Sequence, residues 1–500
     1  MDTTLAMEPR RSDMLERLDG ALATVEAEYT DHPLPVRGTL PPELDGVLFR
    51  NGAGRFERGG QRYAHPFDGD GHVVRIDISA GAARYTNRFV RTAEYVAEDA
   101  AGRMRYRGFG TNLPGGLAAN LLRLRFKNAA NTNVVWHGGR LLALWEGGLP
   151  HRLDPRTLAT LGPDDFQGRL RSSARPPLRW LGSALPFAAH PRIDAESGEM
   201  INFGVVFGSP NRLMIYRVTA DGCMAPPEAH ALPRFSFVHD IAVTRRWICV
   251  LLPHADFRVA QALLGLRSPV ASLHLDTERP MQAMLIPRDG GPTQMVEAVP
   301  GFVFHIAQAF DAEDGSLVLD VVRYREYPAF DDLDGLFADG AVDGLPRLER
   351  LTLDYRRGHC TLEPWSDRAF ELPTTAPAPF GAAHRFIYGI GAPADRGVPF
   401  FSAVQRLDTE TGALKFIDFG HDLPGEPIVA PGCGAGSGAE ARDTSMGWLL
   451  TLINRTAEGY SELLVLRAED LRTQATLRLP HAVPPGFHGC WVERCALPAG

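Results

Sequence analysis

Cysteine is scarce in this chain and never forms a motif. Six cysteines (Cys223, Cys249, Cys360, Cys433, Cys490 and Cys495) are scattered over 500 residues without a CxxC pair. That excludes a disulfide-stapled secreted scaffold and a cysteine-built zinc site, and it points to a reducing compartment. Positive charge is not in excess either. Fifty-two Lys and Arg face 60 Asp and Glu, a net charge of −8, which argues against general nucleic-acid binding. No run approaches 18 apolar residues, so no membrane span is expected. The first residues, MDTTLAMEPRRSDMLERLDG, lack the apolar core of a secretory signal. The expected location is cytoplasmic.

Motifs of the commonest catalytic folds are also missing. No GxSxG elbow and no HExxH pair occurs. RNGAGRFERGG has close glycines but not the GK[ST] ending of a phosphate loop. FDGDGH, at 67–72, lacks the acidic residue that closes a calcium loop and reads as a hairpin turn.

What the chain has is strands. From Leu34 onward, short runs rich in Val, Ile, Leu, Tyr and Phe alternate with turns rich in Gly, Asp, Asn and Pro. VVRIDIS then AGAARYTNRFV, EMINFGVVF then NRLMIYRVT, and WLLTLINR then SELLVLRAE are examples. Several are joined by hairpin signals. Fifty-one Gly and 39 Pro supply the turns. This is antiparallel β over more than 400 residues, with no βαβ rhythm. One sandwich cannot absorb so many strands, whereas a β-propeller can. Residues 1–33 are expected to be a helical extension, since SDMLERLDGALATVEAEY has helical apolar spacing. Residues 34–500 are expected to form one propeller domain. Two stretches, 113–131 and 257–273, mix Leu, Val and Ala with isolated Arg and Lys and suit short amphipathic helices. They are expected either to touch a membrane surface peripherally or to cap the strands. Residues 432–445 read as a Gly/Ser-rich loop.

Four histidines sit at the edges of strand-like runs: His190 in AHPRID, His239 in FVHDIA, His305 in VFHIAQAF and His488 in PGFHGCW. With 16 histidines present, a single one is more often structural. Inner strands of different propeller blades can nevertheless send imidazoles to a common axis. Four imidazoles without thiolate or carboxylate suit a redox-active first-row metal, Fe(II) foremost, although imidazole also takes Zn, Cu and Ni.

These segments, in this order, resemble the carotenoid cleavage oxygenases, a family that also contains stilbene cleavers and a retinoid isomerase. The resemblance runs from about Val36 to Trp491. It rests on GVLFRNG, HPFDGDG, ANTNVV…LLALWEGGLPHRLDPRTLATLG, AHPRIDAESGE, FVHDIAVT, HIAQAFD and GFHG. It implies an all-β, seven-bladed propeller capped by a helical dome. It implies Fe(II) held by His190, His239, His305 and His488, with O2 as co-substrate. Three glutamates, Glu146 in LWEGG, Glu371 in FELP and Glu426 in GEPIVA, are implied partners of three of the histidines. A carboxylate that accepts an imidazole's other N–H fixes its tautomer and orientation. Thr132 is implied to line the open face of the metal.

The implied reaction is oxidative cleavage of a conjugated C=C bond of a carotenoid or apocarotenoid into two aldehydes. The alternatives are a stilbene-cleaving dioxygenase and a non-cleaving polyene or retinoid isomerase on the same fold. Stilbene cleavers carry a lysine where this chain has Trp145, and a tyrosine near Thr111 and Asn112. An apolar polyene is therefore expected, with Trp145, Phe67 and Phe109 as candidate substrate contacts. Nothing in the sequence calls for an obligate protein partner.

Overall fold

The computed structural model describes residues 19–123, 125–171, 184–326, 345–392, 401–431 and 447–498. The expected loop at 432–445 lies outside them, as do residues 1–18 of the expected N-terminal helix.

Among the described residues, the strands form seven sheets of four or more strands and two small two-stranded ribbons. In most of the seven, four consecutive strands pair antiparallel with their sequence neighbours, as in Phe302–Asp311, Leu317–Tyr324, Arg347–Asp354 and His359–Pro364. These are the blades of a seven-bladed propeller. Two exceptions close the ring. The C-terminal strand Gly489–Glu493 joins the first blade by pairing with Gly46–Arg55. The early strand Val36–Gly38 joins the seventh by pairing with Thr473–Arg478.

Side-chain alternation explains why the blades stack. Successive residues of a strand point to opposite faces. In Gly46–Arg55, Val47 and Phe49 pack against the second blade while Leu48 packs against the seventh. In Arg140–Leu144, Leu141 and Ala143 face the first blade while Leu142 and Leu144 face the third. Seven apolar clusters result, one at each interface between neighbouring blades. Among the described residues the apolar clusters lie between blades, which leaves the axis to polar groups.

The N-terminal expectation needs correction. Residues 19–21 are helical, but 23–31 are not, and His32–Pro33 is a strand paired with Ala82–Phe89. Backbone groups here go to the first blade instead of to a helix. Val25 donates to Gly54 O, and Thr24 Oγ1 accepts from Phe56 N. The Asn87 amide brackets Ala27 O and Tyr29 N. Tertiary partners outbid a helical apolar spacing.

The two interrupting stretches do form short helices, Gly116–Asn120 and Val259–Leu263, and they touch each other. Leu122 N donates to Leu263 O at 3.0 Å. Arg107, fully buried, ties them further by donating to Arg123 O in the first stretch and to Ala262 O and Arg267 O in the second. Their apolar side chains face outward: Leu117, Leu121, Leu122, Val259, Leu264 and Leu266 are exposed.

Candidate metal centre

The four histidines come from different blades and meet. His190 precedes strand Arg192–Ile193, where Pro191 biases it toward extended backbone. His239 precedes Ala242–Val243 in the next blade. His305 lies within Phe302–Asp311, which is irregular on both sides of Ile306. Bulges of this kind re-aim side chains beside functional sites. His488 precedes the ring-closing strand. There Gly489 is required by close approach, since a Cβ would sit 2.1 Å from Phe49 O.

The ring centroid of His190 lies 4.4 Å from that of His239, 4.5 Å from His488 and 5.2 Å from His305. His305 lies 5.2 Å from His239 and 5.1 Å from His488. Nitrogens of His190, His239 and His305 all fall within 4.8 Å of one another, close enough to share one metal ion. His488 borders this trio by its ring distances.

Two of the three glutamates hydrogen-bond a histidine, and the third lies farther off. Glu371 Oε2 lies 2.6 Å from His305 Nδ1, and Glu426 Oε1 lies 2.8 Å from His488 Nδ1. Each of these carboxylates has other donors. Tyr324 OH and Leu372 N donate to Glu371, at 2.7 and 2.6 Å. Leu372 adopts a φ of +46° beside that bond, a strained backbone of the sort found at functional sites. Arg50 and Gly489 N donate to Glu426, at 2.5 and 3.1 Å. Glu146 is less well held. Its Oε1 is 3.3 Å from His239 Nδ1 and 3.9 Å from His190 Nε2, the latter beyond hydrogen-bonding reach. That oxygen is buried without a hydrogen-bond partner, although 28 % of the side chain stays accessible.

The electrostatics separate accordingly. Burial pushes the Glu146 carboxyl well above its usual range, and Asp240 adds repulsion. Burial works the same way on Glu371 and Glu426, but His305, Tyr324 and Leu372 N hold the first below its usual value, and His488 and Arg50 hold the second. Burial, with the other imidazoles, pushes His190 and His239 well below the usual histidine value. Both are therefore neutral, with lone pairs available for a metal. For His305 burial opposes the charge, but Glu371 outweighs it and raises the pKa.

The donor set fits a metal. Nε2 of His190 and of His305 are buried without a hydrogen-bond partner. Buried polar atoms are normally satisfied, so each exception needs an explanation, and a metal ion supplies one. Among the described residues no thiolate joins this group.

The sequence matches the retinal pigment epithelial membrane protein family over residues 22–493. It is 36% identical to an apocarotenoid-15,15'-oxygenase from Synechocystis, over 92% of each chain. The chain belongs to the carotenoid cleavage oxygenase family. Another member, a carotenoid cleavage oxygenase from Mycobacterium tuberculosis, is 29% identical, with 95% of this chain and 97% of that protein covered. A cobalt-substituted Synechocystis apocarotenoid oxygenase superposes with a TM-score of 0.88 at 34% identity, covering 96% of this chain and 99% of that one.

The remaining expected residues fall at varied places. Thr132 immediately precedes Asn133–His137, the inner strand of the second blade, and its carbonyl accepts from His488 N at 3.2 Å. Its hydroxyl donates to Asn131 Oδ1. The Trp145 ring lies over Gly147 and Gly148. Phe67 and Phe109 both pack on His65, at 4.7 and 5.8 Å between centroids. Phe109 stacks on Phe237, which stacks on His239. Phe67 meets Phe487, the neighbour of His488. Thr111 is buried and donates to Asp68.

Several contributors escaped the sequence reading. Phe237, Phe304 and Phe487 supply aromatic surface beside the histidines. Arg50 and Tyr324 support glutamates from far along the chain. Phe237 and Phe487 each lie within two residues of a candidate histidine, a signal that was available. Arg50, 376 residues from Glu426, offered none.

Proposed function

We propose that the chain is an Fe(II)-dependent dioxygenase that cleaves a conjugated C=C bond of a carotenoid or apocarotenoid into two carbonyl products. The observation that carries this reading is the convergence of four imidazoles from four blades, with two buried Nε2 atoms lacking partners, in a chain of this family. His190, His239, His305 and His488 would hold the iron. Bound Fe(II) supplies the means to activate O2 for addition to the alkene.

The protein's part is to orient and exclude. Glu371 and Glu426 keep a proton on Nδ1 of His305 and His488, which leaves Nε2 of each imidazole to the metal. Glu146, whose Oε1 lies 3.3 Å from His239 Nδ1 without a hydrogen bond, is the candidate partner of His239. Phe237, Phe304, Phe109 and Phe67 present apolar surface around the histidines, suited to a polyene. Trp145, where stilbene cleavers have a lysine, leaves a phenolate without a charged partner, which favours a carotenoid over a stilbene. Thr132 is assigned to the open side of the metal. The exposed leucines of the two short helices, flanked by Arg123 and Arg258, are assigned to peripheral contact with a bilayer from which an apolar substrate enters. Among the described residues, no helix is long and apolar enough to cross a membrane.

The test is metal analysis joined to product identification. Protein reconstituted with Fe(II) should hold about one iron per chain and convert an apocarotenal to shorter aldehydes with consumption of O2. His488→Ala should lose both. Iron-free protein that still cleaves would refute the reading. Product formed without O2 uptake would instead mark an isomerase.

A further inference from the structure

The innermost strand of a blade has one edge with no neighbouring strand, so its N–H and C=O groups need other partners. At His305 this matters most, because the strand bulges there and Ile306 is the next residue. Ile306 N donates to Asp240 Oδ2 at 2.8 Å, and Ile306 O accepts from Arg192 Nη2 at 2.7 Å. Asp240 directly follows His239, and Arg192 lies two residues after His190. The pair is closed by Arg192 Nη2 to Asp240 Oδ2 at 2.5 Å, Arg192 Nε to Ile241 O at 2.9 Å, and Ile241 N to Asp240 Oδ1 at 2.7 Å. One ion pair thus binds the segments that carry three histidines, the same three whose nitrogens lie within 4.8 Å of one another.

We propose that Arg192 and Asp240 are positioning residues that set the mutual register of His190, His239 and His305 for the metal. The proposal rests on the metal-centre reading above. Neither side chain supplies a ligand atom in it. Both act through backbone groups adjacent to the ligands, and the Arg fork reaches two carbonyls and a carboxylate from two separate nitrogens, Nε and Nη2, a geometry that the single nitrogen of a lysine does not reproduce. Asp240 is 6 % exposed and spends both oxygens on this network. Ligands held within a few tenths of an ångström bind metal far better than the same ligands left loose.

The test compares full-length wild type with Asp240→Asn, Arg192→Lys and Arg192→Met. Co(II) is titrated into metal-free protein, and its visible absorption band and dissociation constant are recorded beside the melting temperature of the metal-free form. Asn at 240 turns one acceptor into a donor, so either Ile241 N or Ile306 N faces an N–H. The expected result is a dissociation constant on the order of 10- to 100-fold higher for Asp240→Asn and Arg192→Met, with an altered band. Arg192→Lys should fall between Met and wild type. Variants with the wild-type constant and band overturn the proposal, and so does a lowered melting temperature with an unchanged constant. Should Asp240→Asn not fold, the two Arg192 variants decide, because that side chain is 29 % accessible and leaves no buried acid unsatisfied by both backbone donors. A wild type that takes up no Co(II) overturns the metal centre itself; a wild type that binds while its variants match it overturns only the pair.

Discussion

Replacing Glu371 by Gln isolates what a carboxylate does for its histidine. Glu371 is 4 % exposed and accepts from three donors: His305 Nδ1 and Leu372 N on Oε2, and Tyr324 OH on Oε1. A glutamine amide can keep its oxygen at the Oε2 position and so retain the first two bonds. Its NH2 then donates to the Tyr324 oxygen, whose hydroxyl can rotate. Shape and bond count survive, and only the charge is lost. A hydrogen bond to a charged group contributes about 1.5–3 kcal/mol, against about 1 for a neutral one. The difference, roughly 1.5 kcal/mol, corresponds to about a tenfold loss of metal affinity. The same substitution removes the main support for the raised His305 pKa. In wild type a proton competes with metal for His305, so affinity falls as pH drops through that raised value. In Glu371→Gln the fall should move to lower pH. The assay is Fe(II) or Co(II) titration of metal-free protein across pH, read against a chelator. Unchanged affinity with an unchanged pH midpoint would refute the reasoning. So would complete loss of binding with the fold intact, which would mean the carboxylate does more than tune its imidazole.

Further outcomes follow from other parts of the molecule. Lys127 is buried and pairs with Asp70 at 2.7 Å and Glu98 at 3.2 Å, so Lys127→Met should cost about 3 kcal/mol in urea unfolding. Arg58 still pairs with Asp70, which keeps the cost at the low end of the range, and a loss under about 1 kcal/mol would refute a stabilising role for this buried pair. His72 is buried and its pKa is pushed down to about 3. Below an unfolded value of about 6.5 the unfolded chain takes up the proton first, so stability should fall with falling pH from there toward 3, at up to about 1.4 kcal/mol per pH unit. His72→Gln, which can still accept from Asn87, should flatten that slope by about one proton in unfolding measured against pH. Leu122→Ser with Leu266→Ser should lower the vesicle partition constant on the order of 100-fold while iron content stays unchanged, given roughly 1.5 kcal/mol per buried leucine.

Much of this was readable from the chain. The ordered flanking motifs carry the family, and through it they single out four of 16 histidines. Glu146, Glu371 and Glu426 were reachable only through that resemblance, because a lone glutamate in LWEGG or FELP looks like any surface acid. The N-terminal segment was misread for a physical reason. Apolar spacing over 12–29 suits a helix, but the edge of the first blade offered backbone partners from Gly54 to Asn87 that a periodicity does not register. Arg192 in AHPRID and Asp240 in FVHDIA carry no local signal of a role, since their partner Ile306 lies 66 residues beyond Asp240 and 114 beyond Arg192.

By itself the amino-acid sequence determined the strand alternation and the turns, which depend on neighbours a few residues apart, where period-2 burial and turn chemistry act. The choice of four among 16 histidines came through the family resemblance. The closed ring determined the rest. Only when Gly489–Glu493 pairs with Gly46–Arg55 does His488 come within 4.5 Å of His190. Only when the blades stack do Glu371, Glu426 and the Arg192–Asp240 pair reach imidazoles and backbone on other blades. Carboxylate strength, imidazole protonation and ligand register are set by contacts across blades, and such contacts exist only after the chain has closed on itself.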